Sequence, residues 1–136
     1  MFTKVLVASD GSKHAVKAAE KAVYIASANP NAVVEVVYVV DAETSKADVL
    51  HSTDKELTRR ERLLETEQKL KDHQLNYKVT TLHGEPGPSI VDYANSNEFD
   101  LVVIGSRGLN KLQEMVLGSV SHKVAKRVNC PVLIVK

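Results

Sequence analysis

Gly105 and Gly108 flank Ser106 and Arg107, nine residues follow from Leu109 to Leu117, and then comes Gly118-Ser119-Val120-Ser121. Glycine lets a backbone come close to an anion. A Gly-Ser step at a helix start offers free N–H groups and a hydroxyl where the helix dipole favours phosphate. Arg107 adds a fixed positive charge. The charge balance points the same way: residues 100–136 hold six Lys plus Arg against two Asp plus Glu, whereas residues 1–99 hold twelve against fifteen. A small polyanion is the ligand chemistry this segment suits. A further candidate group is Ala8-Ser9-Asp10, with Asp10 at the head of an Asp-Gly-Ser turn.

The elements that must position these residues follow from the apolar pattern. Lys4 to Ala8 reads as a buried strand, followed by a turn and a helix whose small residues from Ala15 to Ala26 recur at three and four. Val33 to Val40 is a β-branched strand ended by Asp41. Residues 41–52 show no period and read as a loop. Thr53-Asp54-Lys55-Glu56 has capping-box spacing, opening a helix to about residue 74 with Leu57, Leu63, Leu64 and Leu70 inward. On its wet side Glu56/Arg60, Glu65/Lys69 and Glu67/Lys71 pair at four-residue spacing. Tyr77 to His83 is a third strand. Pro86-Gly87-Pro88 opens a helix, with Pro88 where its missing N–H costs nothing, and with Ile90, Val91, Tyr93 and Ala94 inward. Phe99 to Ile104, Val120 to Val128 and Pro131 to Val135 complete the order as strand, helix, strand. This alternation predicts an α/β fold: an open five-stranded parallel sheet with helices on both faces. Ligands of such sheets bind beyond the carboxyl ends of the strands at the point where strand order reverses.

The chain resembles the universal stress protein family in its ATP-binding branch, whose mark is Gly, two residues, Gly, nine residues, then Gly with Ser or Thr. Gly105, Gly108, Gly118 and Ser119 match that spacing without a gap. The likeness extends to Val-Ala-Ser-Asp-Gly-Ser at 7–12, Tyr38-Val39-Val40-Asp41, Gly84-Glu85-Pro86 and Cys130-Pro131-Val132-Leu133-Ile134-Val135. It implies a Rossmann-like fold and an ATP site. Asp10 would meet the ribose hydroxyls, a role that suits a carboxylate because it accepts two hydrogen bonds. Ala8, Ser9 and Val39 would line the adenine pocket. Gly105, Arg107, Gly108, Gly118, Ser119, Val120 and Ser121 would hold the phosphates, and Ile104 would also belong to the nucleotide site. Mg²⁺ would arrive with the nucleotide and keep mostly water and phosphate ligands. Family members dimerise through the last strand, so Pro131 to Val135 is the expected homodimer edge.

Composition bounds the alternatives. With 136 residues, 43% hydrophobic and 26% charged, the chain is expected to form one domain spanning 1–136. A net charge of +1 argues against nucleic acid as partner. No stretch approaches the ~18 apolar residues of a membrane span, so a cytoplasmic protein is expected. Cys130 is alone and is expected as a buried structural thiol. The five histidines are scattered without metal-ligand spacing. Gly-x-Gly-x-x-Gly and P-loop motifs are absent, and no Ser-His-Asp order can be assembled. Three functions stay open. The leading one is an ATP-binding stress-response protein whose nucleotide biases loop 109–117 and hence the surface met by a protein partner. The second is a nucleotide-independent homodimeric interaction module. The third is a slow ATPase, for which the sequence offers no base to activate water.

Overall fold

The computed structural model describes residues 2–40, 53–107 and 117–136, with 53–59 described by backbone alone. Its elements are β1 (Lys4–Ser9), α1 (Lys13–Ala26), β2 (Val33–Val40), α2 (Thr53–Asp72), β3 (Asn76–His83), α3 (Pro86–Ser96), β4 (Leu101–Gly105), α4 (Ser119–Arg127) and β5 (Val132–Val135). All strand pairings are parallel, in the order β3-β2-β1-β4-β5. The α/β reading therefore holds in class and in element order.

The near-continuous apolar strands are explained by burial on both faces. Val5, Val7, Val34, Val36, Leu101 and Val103 pack with the alanine face of α1 and with Leu70 of α2. Leu6, Ala8, Val37, Val102 and Ile104 turn the other way, toward Ile90, Val91 and Ala94 of α3 and Val124 of α4. Alanines at 15, 18, 19, 22 and 26 make up most of the buried face of α1, with Val16 and Val23 beside them. Ser12 caps it, its Oγ accepting from Ala15 N at 3.1 Å.

Local departures have local causes. Leu64 is 64% exposed and Thr66 is 1% exposed, so Thr66 and not Leu64 shares the inward face with Leu70. Pro86 takes the first helical position of α3, with Pro88 two residues further along the same first turn. β4 begins at Leu101, because the residues before it are otherwise engaged. The Asp100 carboxylate accepts from Thr3 N at 3.0 Å and Lys4 N at 2.9 Å. The buried Phe99 ring lies 5.9 Å from Tyr93 and beneath the Lys4 ammonium at 4.6 Å. Cys130 is half-buried rather than buried. Desolvation pushes its thiol pKa up, which still makes it a poor nucleophile. α2 ends at Asp72, and Gln74 turns the chain with φ 55°. The pairs Glu65/Lys69 and Glu67/Lys71 stand at 4.0 and 3.9 Å, and Lys69 also reaches Glu20 of α1 at 2.7 Å. The loop at 41–52 and the side chains of the capping box, of Glu56 and of Leu57 lie outside the described residues.

Candidate functional site

Strand order reverses between β1 and β4: the chain moves from β1 to β2 and β3 on one side, then crosses to β4 and β5 on the other. Val7 stands opposite Val36 on one flank and Val103 on the other. The segments following β1 and β4 thus leave the sheet side by side, as a switch-point site requires.

After β1 the chain makes a tight turn. Ser9 Oγ accepts from Gly11 N at 3.2 Å and Asp10 Oδ1 accepts from Ser12 N at 2.9 Å. Gly11 has φ 74°, a conformation glycine adopts without strain. The turn holds Asp10 half-exposed at the strand end, with Ser12 rather than Asp10 serving as helix cap. Ala8, Val39, Ile104 and Val120, drawn from three strands and a helix, belong to one apolar cluster on the α3/α4 face. They share one sheet face toward the carboxyl ends of the strands, where Asp10 stands half-exposed and Ser9 is buried.

The β4 end is tied to α4 by hydrogen bonds. Ser121 Oγ, buried, donates to Gly105 O at 2.6 Å, and Gly118 N donates to Ser106 O at 2.8 Å. Gly118 is the N-cap of α4 and offers no side-chain cap, so the amides of the first turn lack one. Its φ of −67° is open to any residue, so the backbone angle does not demand glycine there. Gly118 immediately precedes the nine-residue helix α4, at the end where a helix dipole favours an anion. Ser119 is exposed beside it. Gly105 has a different reason: a Cβ there would meet the backbone and Cβ of His14 at 3.0 Å. Its lack of a side chain admits the first turn of α1. Arg107 is half-exposed after β4. Gly108 and the stretch 109–116 lie outside the described residues.

Arg62 and His14 are two neighbours of this site that the sequence pattern did not disclose. Arg62 Nη1, on α2, donates to Gly11 O at 3.3 Å and so braces the turn carrying Asp10 from 51 residues away. No local spacing signals either contact, because each depends on how helices lie on the sheet. Among the described residues, no group of three His, Cys, Asp or Glu lies together as a metal site. The uncapped α4 terminus fits a phosphate, and Mg²⁺ would find its ligands on that phosphate and in water.

Fold and chain order together define an open parallel α/β protein whose strand order reverses between β1 and β4. The family model for the universal stress protein family matches residues 1–136, and the chain belongs to that family. It is 34% identical to universal stress protein YxiE of Bacillus subtilis, over 100% of both chains. Among solved structures, MJ0577 of Methanocaldococcus jannaschii superposes with a TM-score of 0.82 at 28% identity, covering 100% of this chain and 96% of that one. A universal stress protein crystallised in complex with cAMP has a TM-score of 0.74 at 26% identity, covering 99% and 97%. No helix among the described residues is long and apolar enough to cross a membrane.

Proposed function

We propose that this chain is a cytoplasmic, nucleotide-responsive regulatory or interaction protein of the stress response that binds ATP between the ends of β1 and β4. The observation that carries this reading is the uncapped N-terminus of α4, tied through Gly105 and Ser106 to the strand beside Asp10. Adenine rests on Ala8, Val39, Ile104 and Val120, with Ser9 alongside. Asp10 receives the ribose hydroxyls. Phosphates take the amides of Ser119, Val120 and Ser121, the space at Gly118, and Arg107 and Gly108 from the loop. Ser121 contributes its N–H, since its hydroxyl is committed to Gly105. The relative crystallised with cAMP supports adenine nucleotides as the ligand class. A nucleotide site of this kind binds a ground state, which by itself accelerates no chemistry, and no catalytic step is assigned to it.

The position of β5 at the sheet edge favours a second element of the reading, a homodimer through Pro131 to Val135. Calorimetry with ATP and Mg²⁺ on protein freed of nucleotide tests the first element, with one site per chain expected. No heat of binding at millimolar ATP ends it, and mass spectrometry of ligand released from native protein identifies the natural nucleotide. Gly118→Val adds a side chain at the start of α4 and is expected to abolish ATP binding while the far-ultraviolet circular dichroism stays unchanged. If capture of a protein partner survives that loss, the chain is a nucleotide-independent module instead.

A further inference from the structure

On the sheet face opposite the adenine floor, α2 stands away from β2 and β3 and leaves a cleft of about 260 Å³, lined by Val36, Leu63, Leu64, Thr66 and Val79 with Arg60 and Glu67. For comparison, an apolar cavity of ~150 Å³ holds benzene. Two large apolar side chains, Leu64 at 64% and Val79 at 48% exposure, open to solvent at its margin. The helix wall carries an anomaly: Thr66 is 1% exposed, and its Oγ1 has no hydrogen-bond partner among the described residues. A buried hydroxyl left unbonded is destabilising. Thr66 lines the cleft, and rotation about χ1 is the motion by which its hydroxyl would turn toward an occupant.

We propose that this cleft is a second ligand site, taking a small uncharged molecule that is mostly apolar and carries one hydrogen-bonding oxygen, such as an alcohol, ketone or amide, which pairs with Thr66. The walls argue for a neutral ligand. Arg60 and Glu67 oppose each other in charge, and Glu67 already accepts from Tyr77 OH at 2.8 Å and stands 3.9 Å from Lys71. The volume suits a molecule of a few carbon atoms and excludes a peptide helix. Because Val36 faces α1 and α2 whereas Ala8, Val39 and Ile104 face α3 and α4, the cleft shares no lining residue with the nucleotide site. The proposal therefore does not rest on whether the chain binds ATP.

The test is an NMR titration of the ¹⁵N-labelled full chain, without nucleotide, using benzyl alcohol and toluene as probes. Saturable shifts confined to amides near residues 36, 60–67 and 79 are expected for both. Thr66→Val keeps the shape and removes the hydroxyl. It is expected to weaken benzyl alcohol about fivefold to tenfold and leave toluene unchanged. Val79→Trp fills the cleft from an exposed position on the edge strand β3 and is expected to abolish both. Shifts that do not saturate or that lie elsewhere overturn the proposal. So does a Thr66→Val protein with unchanged affinity for the alcohol, or a Val79→Trp protein that still binds.

Discussion

Glu35 interrupts the apolar run of β2, yet it is 7% exposed in an interior strand, held by the Tyr93 hydroxyl that donates to its Oε2. Desolvation pushes the Tyr93 pKa up, and the bond to Glu35 adds to it, so the hydroxyl keeps its proton. Tyr93→Phe leaves a buried carboxylate without its donor. A loss of about 1–3 kcal/mol in urea unfolding at neutral pH is expected. Asp100 acts at the surface in the opposite sense. The amides of Lys4 and Thr3 hold its carboxyl below the usual carboxylate range. Because the folded pKa lies below the unfolded one, this stabilisation is complete above the unfolded value of ~3.9. It is lost as pH falls through the folded value. Asp100→Ala is therefore expected to lower Tm near neutrality, by an amount that shrinks once the pH drops below about 4. A Tm difference that stays constant from pH 7 into strong acid contradicts this account. Both acids escape a reading of local pattern, since their partners are 58 and 97 positions away in the chain.

At the level of elements, α2 links two parts of the molecule through one basic side chain. Arg62 reaches Gly11 O, whose neighbours Ser9 and Asp10 already bind the turn internally. Removing that brace loosens the turn without touching the nucleotide itself. Arg62→Ala is expected to weaken ATP severalfold by calorimetry, and Arg62→Lys, which keeps the charge but not the forked donor, to recover only part of it. An unchanged Kd in Arg62→Ala removes Arg62 from the site. Strand and helix order were legible in the sequence because β-branched runs and 3.6-residue periodicity are local properties. The inward face of α2 was less so. Leu63 and Leu70 are seven residues apart and share a face, and Thr66 falls between them on it, whereas Leu64 is about 100° round the helix from Leu63. Counting leucines as inward overlooks that geometry. The same holds for the glycines: Gly118 was legible as the residue at a helix start, but the close approach of His14 that requires Gly105 is a tertiary contact.

For the molecule as a whole, the two sheet edges are not equivalent. β3 carries Lys78, Thr81 and His83 exposed, the kind of polar edge that resists pairing. β5 is Val-Leu-Ile-Val and half-buried over its first three residues. Its carbonyls at Pro131 and Val135 accept from Val102 N at 3.0 Å and Ser106 N at 2.8 Å, so by alternation Val132 and Ile134 turn their backbone groups outward. A second copy can pair with those groups. Val132→Pro removes one outward N–H without removing a bond to β4, and proline is tolerated on an edge. Sedimentation equilibrium is expected to give a dimer for the parent chain and a dissociation constant raised about tenfold or more in the variant, with one lost hydrogen bond and a displaced strand as the cause. The same edge is joined to the proposed nucleotide site through Ser106, whose N–H meets Val135 and whose carbonyl accepts from Gly118. A nucleotide at α4, as proposed, would act on groups that also fix the end of β5, and binding linkage is reciprocal. Saturating ATP is expected to shift the dimer constant, and dimerisation to shift the ATP Kd by the same factor. A dimer constant identical with and without ATP means that Ser106 transmits nothing, leaving nucleotide binding and assembly as separate properties of one sheet.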